Sequence, residues 1–428
     1  MDFVREAEKR TPVKGRWDVV VVGGGPSGCA AAVGAARAGA RVVLVELQSF
    51  LGGLATGGTV LQWPGFPDSS YRLYGDFACQ CLKMGEEMKG VSFFRDRRWV
   101  YGFYDPEILK YVFQSLVTGS EAELLQHAYA CGVATQDNGL LAVIVESKSG
   151  RMALEGSLFV DCTGDADLLG YAGLPWRPSA LPISFTWNLG NIETDTQAME
   201  ETGFFGIHRK TIREAGLAHV DLPYPMPNRN VVWCGSGVYF SDIDPLDIEE
   251  LTRIECEARR TAVEYLRQLR REPGQQDAFI FHSSTIPGVR ASRQTVGCYV
   301  LTLRDMLEHR RFPDSIGVAE MVYHPSVKKG SSGAFEIPLG ALIPQGSKNL
   351  LVAGRSISVE PSQGKFSGAL EHVRGIPCCT VTGFAAGVAA ALSVRDGVQP
   401  ASADCSQIQQ QLTDLGQIVS LDQAPVLA

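Results

Sequence analysis

The sequence predicts an α/β protein: a doubly wound, mostly parallel sheet assembled from separated stretches of chain, with an inserted α+β substrate domain. Three observations predict it. A glycine turn joins a buried strand to a helix near the N-terminus, apolar strands ending in small turns recur far downstream, and a compositionally different segment lies between them. With 428 residues and 45% apolar content, the chain is long enough for two or three packed domains or one large composite.

The first element is VVVVGGGPSGCAAAVGAARAGARVVLVE, residues 19–46. Val19 to Val22 is a continuous apolar run of the kind buried on both faces of a parallel sheet. Gly23, Gly25 and Gly28 follow at a spacing that permits a tight turn, close backbone approach to a pyrophosphate, and a helix packed near the strand. The helix is predicted over Pro26 to Ala38, with Pro26 in the first turn and Gly39 as its stop. Its N-terminus favours phosphate. A second strand, Arg41 to Val45, delivers Glu46, whose carboxylate can accept both hydroxyls of an adenosine ribose.

Beyond Glu46 the chain does not continue into the repeats of a nicotinamide dehydrogenase. LGGLATGG, residues 51–58, leads into an aromatic-rich insert from Val60 to Tyr104, read as a lid or pocket wall or else as a second small core. A helix is predicted over Asp105 to Val117, then strands around Glu123–Val133, Leu140–Glu146 and Met152–Val160. The last strand feeds VDCTGDADL, residues 160–168, and ends in the turn Thr163-Gly164-Asp165. Residues 175–335 carry more Pro, Arg and His, with a helix near Pro245 to Arg271, and read as the inserted domain. KNLLVAGRSIS, residues 348–358, returns as an apolar strand ending at Gly354, and an Ala/Gly helix is expected to start near Gly383. The domains are therefore spatial: 15–60, 105–175 and 340–395 bind the dinucleotide, 61–104 and 176–339 form the substrate or cap domain, and 396–428 is a helical tail.

A net charge of −8 without a dense Lys/Arg run disfavours nucleic acid as a partner. The charged N-terminus lacks an apolar signal core, which points to the cytoplasm. Eleven cysteines without a CxxC argue against a disulfide framework and a metal site, and the neighbours Cys378 and Cys379 read as buried small residues rather than a vicinal disulfide. Residues 375–394 carry no charge and are long enough for a membrane span, yet Pro377, the glycines, threonines and alanines favour a buried helix.

Taken together, VVVVGGGPSG with Glu46, LGGLATGG, VDCTGDADL, NLLVAGRSIS, TGFAAGVAAAL and the segment RASRQTVGCYVL from Arg290, where that family commonly carries R-x-x-R-x-x-G-x-Y-x-L, make the chain resemble the FAD-dependent oxidoreductase family. That family lies within the glutathione-reductase-type flavoproteins, kin to the succinate dehydrogenase and fumarate reductase flavoproteins. The resemblance spans about residues 15–415 and implies a discontinuous Rossmann-like FAD-binding domain. It implies that Gly23, Gly25, Gly28, Glu46, Gly52 and Gly53 hold the adenosine and pyrophosphate side of FAD, with Pro26, Ser27, Leu47, Ala55, Thr56 and Ala130 beside them. Thr163, Gly164 and Asp165 close over it, and Gly354, Arg355, Gly383 and Ala386 lie toward the ribityl chain and flavin. Many relatives carry an Asp-x-His element where this chain reads MVYHP, so His324 keeps that histidine's place without its acidic neighbour.

One dinucleotide fingerprint fits a resident flavin that takes a hydride directly from a small polar substrate, neutral or anionic, as a dehydrogenase or oxidase, with oxygen or a carrier as electron acceptor. Such transfer needs a base, for which His324 comes first and Tyr323 and His282 follow. Arg290 and Arg293, on one face if their segment is helical, and Arg374 are the candidate cations for substrate or flavin. Two other readings stay open: a reductase or monooxygenase fed by external NAD(P)H, and a non-catalytic binding protein on the same fold, as in the GDP-dissociation inhibitors. The Trp-x-Trp-x-Ile-Pro string of flavin halogenases is absent.

Overall fold

The computed structural model describes residues 4, 9–66, 72–95, 100–179, 181–192, 223–227, 231–321, 333–362 and 368–424. Strand β1 (Val13–Val22), helix α1 (Pro26–Arg37) and strand β2 (Val42–Val45) form the first unit in the predicted order. β1 begins earlier than the apolar run because its polar first half still pairs in register with a later strand, Val13 opposite Ala153. Pairing with a neighbour, rather than hydrophobicity, sets its start.

The aromatic insert folds as strand β3 (Gln62–Phe66), helix α2 (Gly75–Glu87) and strands β4 (Val91–Arg95) and β5 (Val100–Tyr104), with a three-stranded antiparallel sheet ordered β3-β5-β4. Trp63, Phe77, Phe103 and Tyr104 are fully buried, and the Trp63 and Tyr104 rings lie 4.7 Å apart. Trp63, Phe77 and Tyr104 join the core of the parallel sheet, while Phe103 packs with Trp233 of β13. Helix α3 (Pro106–Gly119) follows, its first turn capped by the Asp105 carboxylate, which accepts from the amides of Glu107 and Ile108.

The expected strand at 123–133 is two: β6 (Glu123–Leu125), parallel to β2, and β7 (Tyr129–Gln136), which forms an antiparallel meander with β8 (Gly139–Ser147) and β9 (Gly150–Asp161). β9 is long enough to serve twice. Its first half pairs with β8 on one edge, β1 pairs in parallel along the other from Ala153 to Asp161, and its last three residues also pair in parallel with β18 (Leu350–Val352), a strand nearly two hundred positions later in the chain. The central parallel order is therefore β6-β2-β1-β9-β18. Short helix α4 (Asp167–Tyr171) and strand β10 (Trp176–Pro178) leave this sheet.

The inserted domain is an antiparallel sheet ordered β12-β13-β11-β14, comprising β11 (Ile183–Gly190), β12 (Pro223–Pro225), β13 (Val231–Phe240) and β14 (Phe279–Ser283). Helix α5 (Ile248–Leu269) packs on one face through Ala258, Ala262, Tyr265 and Leu269 against Phe185, Trp187 and Val232. β15 (Arg293–Thr295) pairs with β10, and α6 (Leu303–Leu307) leads to the hairpin β16 (Ser315–Glu320) and β17 (Ala334–Pro338). That hairpin belongs to the same core as the parallel sheet.

The chain closes with α7 (Leu370–Val373), α8 (Ile376–Asp396) and α9 (Cys405–Asp414). α8 starts at Ile376 and not near Gly383. Pro377 sits in its first turn, where the missing N–H costs nothing, so Pro377 opens the helix instead of delaying it. α8 is long and apolar enough to cross a membrane by length and composition, yet its apolar window is wholly buried against α1 and the sheet. Gly34, Gly383 and Gly387 make this contact close: a β-carbon on Gly383 would stand 2.0 Å from the Ser27 carbonyl oxygen, and one on Gly387 equally near that of Ala31.

Candidate functional site

The carboxyl ends of β1, β2, β9 and β18 open onto one cleft of about 360 Å³. β1 lies between β2 and β9, so connections leave in opposite directions there, and the crevice forms where open α/β sheets bind ligands.

The inner wall is the first glycine turn. Gly23 has φ +95°, and a β-carbon there would lie 2.4 Å from the Cys162 carbonyl oxygen, so only glycine lets β1 turn beside the end of β9. Gly25 caps α1 with no side-chain hydrogen bond, and a β-carbon on it would meet nothing within 4 Å. It faces the open cleft. Glu46 ends β2 with one carboxylate oxygen accepting from the Gly24 amide at 2.5 Å and the other from the Gln48 amide at 2.7 Å. Burial raises its pKa and the amides oppose the shift.

The second wall is the Thr163–Asp165 turn, built on Asp161. That buried carboxylate accepts from the amide and hydroxyl of Thr163 at 3.1 and 2.7 Å and from the Leu169 amide at 3.1 Å. Burial, then the nearby Asp167, push its pKa up to about 6. Arg355, delivered by β18, donates through Nη2 to Asp165 at 2.8 Å and lies flat against Gly164, where a β-carbon would come within 2.5 Å of Nη1. The Ser356 hydroxyl donates to the Gly164 carbonyl at 2.6 Å. Two turns distant in sequence are thus clamped together. The third contribution is the start of α8, where Arg374, Ile376 and Cys379 line the cleft and no side chain caps the helix.

These residues fit an extended, doubly anionic dinucleotide. Two uncapped helix N-termini and two guanidiniums converge on one crevice, and Arg355 Nε is buried without a hydrogen-bond partner among the described residues. A glycine facing open space leaves room for phosphate approach.

Of the residues expected at the cofactor, Gly23, Gly25, Pro26, Ser27, Glu46, Leu47, Gly53 and Ala55 line the cleft, as do Ala130, Thr163, Gly164, Asp165 and Arg355. Others stand behind it. Gly28 packs α1 onto the turn, the Thr56 hydroxyl donates to the Leu51 carbonyl at 2.7 Å with Gly52 against it, and Gly354 makes room for Ser27. Gly383 and Ala386 lie buried along α8, away from the cleft, because the helix starts earlier than its alanine run suggests.

Arg290 and Arg293 share no helix face. Arg290 donates to the Pro182 carbonyl and covers the Tyr239 ring, while Arg293, at the start of β15, donates to the Asp165 carbonyl and to Asp167, both at 2.9 Å. Arg374 lines the cleft. Tyr323 and His324 lie outside the described residues. His282 sits on β14, held below its ordinary pKa by burial and then by the Lys110 ammonium. Among the described residues of the aromatic insert, Val60 to Tyr104, none lines the cleft.

Gln48, Ala128, Pro245, Leu251, Ile286, Pro287, Val289 and Cys379 line the cleft and were not anticipated. Ala128 could have been found from the β6–β7 turn beside Glu46. The inserted-domain residues carry no local signal.

A search of curated proteins finds no match. The p-nitrophenol 4-monooxygenase of Pseudomonas putida DLL-E4 superposes with a TM-score of 0.50 at 13% identity, covering 95% of this chain and 84% of that one. A flavin-dependent brominase superposes at 0.51 and 11% identity, covering 93% and 84%. These similarities concern the fold. The family model described as FAD dependent oxidoreductase matches residues 18–412, which include every wall of the cleft just described, and on that match the chain belongs to the FAD-dependent oxidoreductases.

Proposed function

We propose that this flavoenzyme is a dehydrogenase or oxidase that takes a hydride from a small polar, anionic substrate, with oxygen or a carrier as final electron acceptor. The observation that carries this reading is the inserted domain. Its sheet is antiparallel with α5 on one face, so among the described residues it supplies no second strand–turn–helix unit for a nicotinamide dinucleotide. FAD, when bound, supplies the two-electron acceptor.

The chain's own groups supply the rest. Arg374, which lines the cleft just ahead of α8, is the candidate cation for a substrate carboxylate. The proton released with the hydride goes to a base, His324 first, then Tyr323 or His282, whose lowered pKa keeps it neutral and proton-accepting at pH 7. Cytoplasmic placement belongs to the same proposal and is supported by eleven free cysteines.

Anaerobic addition of small hydroxy and amino acids to the FAD-loaded protein should bleach the flavin band with one of them. His324→Ala should lower the bleaching rate by about 10²–10⁴-fold while leaving the flavin spectrum of the resting protein unchanged. Bleaching only with NAD(P)H would overturn the proposal in favour of the monooxygenase or reductase reading, which the fold of the p-nitrophenol 4-monooxygenase accommodates.

A further inference from the structure

The outer side of the cleft comes from the inserted domain, and its central piece is residues 285–293. This segment is pinned at three points. At one end the Thr285 amide and hydroxyl both donate to the Gly57 carbonyl, at 2.8 and 3.1 Å. In the middle Gly288 exchanges backbone hydrogen bonds with Ser184 of β11 at 2.7 and 3.2 Å, so closely that a β-carbon on Gly288 would stand 2.5 Å from Ser184 Oγ. At the far end the Ser292 hydroxyl donates to the Asp165 carboxylate at 2.5 Å and Arg293 donates to the Asp165 carbonyl at 2.9 Å.

Between the anchors, Ile286, Pro287 and Val289 line the cleft. Val289 is backed by a small core of Ile183, Ile243 and Ile254, so this wall is a supported apolar surface and not a loose loop. It lines the same crevice as the glycine turn and the Thr163–Asp165 turn. An apolar wall opposite phosphate-binding amides excludes water, which strengthens each hydrogen bond to the ligand. The end anchors lie on the two nucleotide-side loops themselves, Gly57 beyond Ala55 and Asp165 under Arg355. Opening the wall therefore disturbs the inner side as well.

We propose that residues 285–293 form a cofactor-retaining strap: Ile286, Pro287 and Val289 close the outer side of the dinucleotide cleft and set the rate at which FAD leaves. The proposal rests on the chain's membership of the FAD-dependent family and on the cleft being the FAD site. Arg290, at the surface of the strap, holds it to Pro182 and Tyr239 of the inserted domain, which gives that arginine a positioning role.

The test is the release of FAD, not turnover. Protein loaded with FAD is diluted and the fluorescence of the freed flavin is followed; the Ile286→Ala/Val289→Ala variant should release it about ten-fold faster than wild type. An unchanged release rate from a folded variant overturns the strap. Should that variant fail to fold, amide exchange in the wild type decides: added FAD should slow exchange across residues 285–293, and equal exchange with and without FAD overturns the proposal. A wild-type protein that takes up no FAD at all overturns the assignment of the cleft, and the strap with it.

Discussion

Asp161 shows how a single buried carboxyl shapes this site. It touches no part of the cleft opening, yet its two oxygens hold the Thr163 and Leu169 amides that fold the turn. Its pKa near 6 lies above the value of about 3.9 expected in the unfolded chain. The folded protein thus keeps the proton that the unfolded chain has lost, so this group's contribution is full below about pH 4 and disappears as pH rises through 6. Asp161→Asn stays neutral throughout. The stability of wild type minus that of the variant, from urea unfolding, should fall between pH 4 and 6 by up to about 1.4 kcal/mol per pH unit and be level above. A constant difference would remove this account. Glu46 was legible as the end of a strand at the right distance from a glycine turn, whereas Asp161 was not, since a carboxyl before a Thr-Gly-Asp turn looks like any strand end until its burial is known.

Among elements, the seam between α1 and α8 does most to hold the cleft in shape. It is made of small residues, so backbones approach closely and both helix N-termini reach the same crevice. Two glycine substitutions separate packing from binding. Gly383→Ala would drive a β-carbon into the Ser27 carbonyl and should cost about 1–3 kcal/mol of stability, read as a lowered Tm. Gly25→Ala meets open space and should leave Tm of the FAD-free protein within about 0.5 kcal/mol equivalent while weakening FAD binding several-fold in a fluorescence titration. The reverse pattern would exchange their roles. The reading of 375–394 as one buried helix matches α8, whereas the expected start near Gly383 followed the alanine run alone and overlooked that Pro377 suits a first turn.

At the scale of the whole molecule, the cleft is lined by β-strand ends, the start of α8 and residues of the inserted domain, so a dinucleotide held there would join parts that are far apart in sequence. Bound FAD should therefore raise the midpoint of global unfolding, by about 2.7 kcal/mol of stability when free FAD is one hundred times its Kd, checked by thermal denaturation with and without FAD. An unchanged Tm at saturating flavin would show that FAD does not bind the folded protein in preference to the unfolded chain. By itself the sequence determined the α/β class, the dinucleotide turn with Glu46, and the return of a distant strand to the same sheet. Those features rest on local spacing and continuous apolar runs, which the chain cannot form in other ways at low cost. Only the tertiary structure decided that Arg290 and Arg293 serve the fold, that Arg355 clamps Asp165, that the aromatic insert packs into the core of the parallel sheet and against the inserted domain, and that Ile286, Pro287 and Val289 line the cleft. Each of these depends on which side chain meets which across more than a hundred residues, or across sheet faces, and no periodicity in the sequence encodes such a meeting.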